Sequence, residues 1–232
     1  MKDQRGHALL YDSIKQNITV NSVVEIGIFN GNTVLEYDDF FPTATITGIE
    51  IENNTDDHIW GQYYRERVQP REGNKVRNYY NTDGYSAHTL FAPSSIDLIC
   101  DAGKDTEWSW WETYSNYQDR ISSGGIIIVE GIAYEHREDS DNTEYNLLSM
   151  QLAQQLGFTV FDFLPLSEDN GWPGMYYRTV VGIWMHDKTV QQYIAESLTD
   201  YLWNNTRLHT EQAAWPKQNV QNYEQLKQLL QQ

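Results

Sequence analysis

Ser22-Val23-Val24-Glu25-Ile26-Gly27-Ile28-Phe29-Asn30-Gly31-Asn32-Thr33 is a short apolar strand that ends on one glycine and meets a second before a helix begins. A strand that turns sharply into a helix, with a ligand lying against its main chain, needs residues without a Cβ at the points of closest approach. Gly27 and Gly31 supply them. A second apolar run, Thr45 to Ile49, ends in Glu50, where a carboxylate can accept hydrogen bonds from ribose hydroxyls in a βαβ unit. Turn and acid therefore agree on a nucleotide-type cofactor site in the region Ser22–Glu52.

The spacing is not that of the dinucleotide pattern G-x-G-x-x-G, whose second glycine would fall at Phe29. The local charge is also wrong for an anion. No Lys or Arg occurs between Lys15 and Arg65, whereas Glu25, Glu36, Asp38, Asp39, Glu50, Glu52, Asp56 and Asp57 all lie in that interval. Such a field favours a cationic ligand. S-adenosylmethionine is one, a nucleoside with a positive sulfonium. A nicotinamide-dependent oxidoreductase is the weaker reading on both counts.

Glu25-Ile26-Gly27, Gly31 and Thr33 resemble the first motif, E-x-G-x-x-x-G-x-[S/T], of class I S-adenosylmethionine-dependent methyltransferases. Ser95 to Asp101 and Gly124 to Glu130 resemble their fourth and fifth strands. The resemblance spans Val23 to Met185 and is nearest to small-molecule O-methyltransferases of the macrocin type. It implies an α/β fold, a Rossmann-like sandwich around a mostly parallel seven-stranded sheet with an antiparallel last strand. It further implies that Gly27, Gly31 and Thr33 hold the methionine end of the cofactor, with Glu25, Phe29 and Asn30 also among the cofactor-binding residues. Glu50 would take the ribose and Asp83 the adenine, although Asp83 equally suits a helix or turn cap.

In those relatives a strand-four acid and acids after strand five hold a divalent metal. Asp101 and Glu130 are the corresponding residues, with Asp101 also near the cofactor, and Mg²⁺ is the metal two hard carboxylates suit. The sequence departs from the pattern at Gly131, where a second acid is usual, and at Lys104, where histidine is common. Glu135 and His136 are substitute ligands on this reading. Asp101, Lys104, Glu130 and His136 are the candidates for catalysis, the last from a charged loop running Glu135 to Glu144. Asp101 and Glu130 could equally be acids that end strands, and Lys104 a solvated loop lysine. His7, His58, His88, His186 and His209 stand in no sequence context that suggests a role.

Elsewhere the pattern predicts a helix over 6–16, a third strand over 76–80 and a helix carrying Trp108, Trp111, Tyr114 and Ile121. The aromatics of that helix read as core rather than as a substrate cage. Ser122-Ser123-Gly124-Gly125 reads as its end, and Ile126 to Val129 as a buried parallel strand. Phe158–Leu164 and Thr179–Met185 read as a strand pair. The expected organisation is a methyltransferase domain over 1–187, with an N-terminal helix, and a helical extension over 188–232. The amphipathic helices of that extension are a candidate surface for a homo-oligomer.

Of 232 residues, 40% are hydrophobic and 13% aromatic, enough for a full core, and the net charge is -17. That charge makes nucleic acid and anionic membrane costly partners. A single cysteine, Cys100, fits a reducing compartment, and no basic-then-apolar leader or spanning run occurs, so a cytoplasmic protein is expected. The reading that follows is S-adenosylmethionine-dependent methylation of a small polar acceptor, at oxygen. A module that keeps the fold and has lost the chemistry is the alternative, motivated by Lys104 and Gly131.

Overall fold

The computed structural model describes residues 5–28, 31–51, 66–71, 73, 75–102, 109–136, 143–163 and 177–197. Seven strands form one sheet: β1 Ser22–Ile26, β2 Thr45–Ile49, β3 Val76–Tyr79, β4 Ile96–Asp101, β5 Ile121–His136, β6 Thr159–Phe163 and β7 Tyr177–Met185. Their order is β3-β2-β1-β4-β5-β7-β6. The ladders from β3 to β5 are parallel, and β7 runs antiparallel to both β5 and β6. Strand order reverses beside β1, which has β2 on one side and β4 on the other. An open α/β sheet has its ligand crevice at such a switch point, outside the carboxyl ends of the strands.

Successive strand residues point to opposite faces, so a strand buried on both sides reads as unbroken hydrophobicity. β1 does this: Val23 joins one core and Val24 the other. Three helices cover the first face: α1 Arg5–Asn17, α2 Asn32–Phe40 and, from the C-terminal region, α5 Lys188–Glu196. Leu10, Tyr11 and Ile14 of α1, Val34 and Tyr37 of α2 and Ile194 of α5 pack there on Val23, Leu98, Cys100 and Ile128. α5 starts where the Asp187 carboxylate accepts hydrogen bonds from the backbone N–H groups of Thr189 and Val190. Helices α3 Ser109–Tyr117 and α4 Thr143–Gln155 cover the other face, where Trp110, Tyr117, Leu152 and Ala153 meet Val24, Ile26, Ile99, Ile127 and Val129.

The aromatic reading of α3 agrees with this packing. Tyr114 lies 5.4 Å from both Phe158 and Trp184, ring centre to ring centre. Trp110, a neighbour of the expected Trp111, is the fully buried one.

The expectations need correction around β5. α3 ends at Tyr117, so Ile121 and Ser122 to Gly125 belong to the strand and not to the helix or its end. Gly125 is a tight fit, since a Cβ there would lie 2.7 Å from the Ile96 carbonyl oxygen. At its other end β5 continues to His136, with Glu135 opposite Arg178 and His136 opposite Tyr177. These two residues are strand, not charged loop. A register shift between Val129 and Ala133 accompanies Gly131, which has φ 82°. A strand can bulge there and resume pairing, and glycine accepts that backbone without strain.

Candidate functional site

Gly27 follows β1 with φ 81°, and its N–H donates to the Ile49 carbonyl at 2.8 Å, closing the gap between β1 and β2. Gly31 takes the left-handed conformation, φ 74°, as the N-cap of α2. Glu50 is held on both sides of its backbone: its N–H donates to the Tyr79 carbonyl at 2.9 Å, and its carbonyl accepts from the Thr82 N–H at 3.0 Å. One oxygen of its carboxylate accepts from the Ile51 N–H at 2.9 Å. The segment after β3 folds back as a short 3-10 turn, Ser86–Leu90, and the Asp83 carboxylate accepts from the Tyr85 N–H at 3.3 Å. The cap reading of Asp83 therefore has a physical counterpart.

A recess forms where these pieces meet, lined by Ile26, Gly27, Ile49, Glu50, Ile51, Asp83, Gly84 and Tyr85. Three expected cofactor residues, Gly27, Glu50 and Asp83, thus share one cleft at the carboxyl ends of β1 and β2. Gly84 could not be replaced without movement, because a Cβ would lie 2.3 Å from Ile26 Cγ2. Its carbonyl accepts a hydrogen bond of 2.5 Å from the buried Tyr117 hydroxyl, which fastens the Asp83 turn to α3. Sequence reading did not assign Gly84, Tyr85, Ile51 or Tyr117 to the site. Gly84 directly follows the expected Asp83, whereas the Tyr117 contact joins residues far apart in the chain.

On the face covered by α1 and α2 lies the buried Glu25, with Glu130, Glu36 and Glu50 near enough for their charges to act on it. Glu25 is 0% exposed, and neither of its carboxylate oxygens has a hydrogen-bond partner. Its pKa is pushed well above the usual glutamate range by burial. The nearby charges of Glu130, Glu36 and Glu50 add to the rise, while the Thr33 hydroxyl opposes it without reaching ordinary hydrogen-bond geometry. Glu25 pairs in register with Cys100, whose thiol is also pushed up by burial and by Glu130 and Glu25. The hydroxyls of Tyr11 and Tyr37 meet at 3.3 Å beside them. A cation, or a proton, is what such surroundings lack.

Asp101 belongs to the opposite face. It is 1% exposed, and its carboxylate accepts from the Thr113 hydroxyl of α3 at 2.6 Å. The register sets Asp101 against Val129, so the next residue, Glu130, turns to the side of Cys100 and Glu25. Within the strands this alternation directs the two carboxylates toward opposite faces of the sheet. Among the described residues no group of three or more His, Cys, Asp or Glu side chains is placed to hold a metal ion. Asp101 also lies outside the lining of the recess. Phe29, Asn30 and Lys104 lie outside the described residues, and His136 enters only through its place in β5.

No family model and no curated protein matches the sequence. Solved structures do match. A precorrin-6y C5,15-methyltransferase from Geobacter metallireducens aligns with a TM-score of 0.51 at 12% identity, over 80% of this chain and 89% of that one. A proposed caffeoyl-CoA O-methyltransferase from Staphylococcus aureus gives 0.54 at 17% identity, over 78% and 84%. The chain has the class I methyltransferase fold. A spermidine synthase from Thermotoga maritima shares it as well, at 0.55 and 13% identity, over 99% of this chain and 75% of the other. At such identities the likeness carries the fold and not the reaction. Nor do these structures single out the macrocin-type enzymes as nearest.

Proposed function

We propose that this chain binds S-adenosylmethionine in the recess and methylates a hydroxyl of a small polar acceptor. The observation that carries the reading is the convergence of Gly27, Glu50 and Asp83 on one cleft at the switch point of the sheet.

The residues present fit that cofactor. Gly27 lets a ligand approach the backbone, and Glu50 stands at the end of β2 with the geometry to accept from a ribose diol. Asp83 and the exposed Ile51 border the same cleft, an acceptor and an apolar surface for a base. The orphaned carboxyl of Glu25 and the neighbouring acids favour a ligand with positive charge. When bound, the cofactor supplies an electrophilic methyl group for in-line displacement. The protein's part is to hold the acceptor oxygen on that line, keep water out and accept one proton. Glu130, partly buried in β5, is our candidate for the proton. Asp101, tied to Thr113, serves to fix α3 against β4.

The test is titration calorimetry with S-adenosylmethionine, S-adenosylhomocysteine and NADH. The first two should bind and NADH should not. Glu50→Gln should weaken binding by roughly 1–3 kcal/mol, as loss of a charged hydrogen-bond partner does. Unchanged affinity in that variant removes Glu50 from the site, and selective binding of NADH overturns the reading. A protein that binds cofactor while Glu130→Gln transfers methyl groups to its acceptor at the native rate would remove Glu130 from the chemistry.

A further inference from the structure

A second cavity, of about 460 Å³, opens away from the cofactor cleft and is lined by His88, Ser115, Asn116, Gln118, Asp119, Arg120 and His186. Arg120 immediately precedes β5, and His186 immediately follows β7, which runs antiparallel to it. The cavity therefore sits at the amino-terminal edge of β5, the opposite edge from the recess.

We infer that this cavity is a binding site for a phosphorylated small molecule, held through its phosphoryl oxygens. Two observations meet here. The first is the state of Arg120: its side chain is only 20% exposed, and its Nε is buried with no hydrogen-bond partner. Among the described residues the carboxylate paired with it is Asp119, which approaches that nitrogen to 3.5 Å, too far for a good charged hydrogen bond, and is itself 62% exposed. A half-buried guanidinium so poorly answered is unusual, because a partly desolvated charge calls for an anion or acceptor to compensate it.

The second observation is the lining. Apart from Asp119 it is a set of donors: two imidazoles, a hydroxyl, two amides and the guanidinium. His88 uses one ring nitrogen, Nδ1, on the Tyr85 carbonyl, at 3.0 Å. His186 meets Trp184 edge to face, with ring centres 4.7 Å apart. In a chain of net charge -17, a cavity built from donors and one under-answered arginine selects for an oxyanion. Its volume lies in the range of small-ligand sites, and the overall charge disfavours a nucleic-acid backbone as the source of the phosphate.

The experiment uses the full chain with inorganic phosphate and pyrophosphate as probes, followed by calorimetry and by the shift in thermal unfolding temperature, with chloride at matched ionic strength as the control. Both probes should bind and stabilise the protein. Saturating S-adenosylhomocysteine should not displace them. Arg120→Gln should weaken binding about tenfold or more, the effect of losing one charged hydrogen-bond partner. His186→Asn, at an exposed position, should weaken it with no change in unfolding temperature in the absence of probe. Stabilisation equal to that by chloride, displacement by S-adenosylhomocysteine, or native affinity in folded Arg120→Gln and His186→Asn would each overturn the inference. None of these results depends on whether the protein transfers a methyl group.

Discussion

Replacing Glu25 by Gln tests the buried-acid face directly, and the size of the effect follows from linkage. Glu25 is wholly buried and without a hydrogen-bond partner, and its folded pKa lies well above the ordinary value of 4.5. In the unfolded chain it ionises near that ordinary value. Between the two pKa values the unfolded state therefore holds fewer protons than the folded state, and stability must fall as pH rises. The stabilising contribution is fully present below the unfolded pKa and is lost on the way up to the folded one. One such group costs about 1.4 kcal/mol per pH unit. Gln cannot ionise, so the variant lacks this slope. Its buried amide adds a cost of its own, but one that does not vary with pH. The quantity to measure is thus the difference in unfolding free energy between native protein and Glu25→Gln, from urea titrations followed by tryptophan fluorescence at several pH values above about pH 5. The variant should gain about 1.4 kcal/mol on the native protein over the first pH unit. Other titrating groups largely cancel in the difference. Parallel lines for the two proteins would refute the reasoning, since they would show Glu25 ionising in the fold as easily as out of it.

Two further substitutions probe how the recess is held. Gly84→Ala puts a methyl group 2.3 Å from Ile26 Cγ2, so it should lower stability by about 1–3 kcal/mol and displace the Asp83 turn. Thermal unfolding and cofactor calorimetry check it, and native values in both would show that the wall yields freely. Tyr117→Phe removes the hydroxyl that donates to the Gly84 carbonyl at 2.5 Å, leaving a buried acceptor unanswered at about 1–3 kcal/mol. Urea unfolding should record that loss, and a stability equal to the native protein's would mean that the carbonyl finds another donor.

What could be read from the chain alone divides along a physical line. β1, β4 and the Val181–Met185 end of β7 are short, mainly apolar runs buried on both faces, and burial on both faces writes itself into consecutive residues. The cleft residues Gly27 and Glu50 were legible because each ends such a run, and Asp83 because it follows the next strand. β5 was legible only in its middle. Glu135 and His136 read as polar loop, yet they are strand because β7 lies beside them, and Ser122 to Gly125, poor strand formers by themselves, fall in an irregularity of the β4–β5 ladder between the paired Ile121 and Ile126. Pairing partners distant in sequence decide such segments, and no local pattern records them.

The same distinction governs the fate of the expected metal pair. Asp101 and Glu130 each end an apolar run, and strand ends are where ligands gather in this fold, so the sequence placed both at one edge of the sheet. Which face each acid takes depends on register, and a shift of one residue exchanges the faces. With Asp101 opposite Val129, the Asp101 side chain goes to Thr113 and α3. Glu130 turns toward Glu25, Cys100 and Tyr11, each of which feels its charge. The outcome is an acid-rich face under the first motif, which a ligand bringing positive charge would answer.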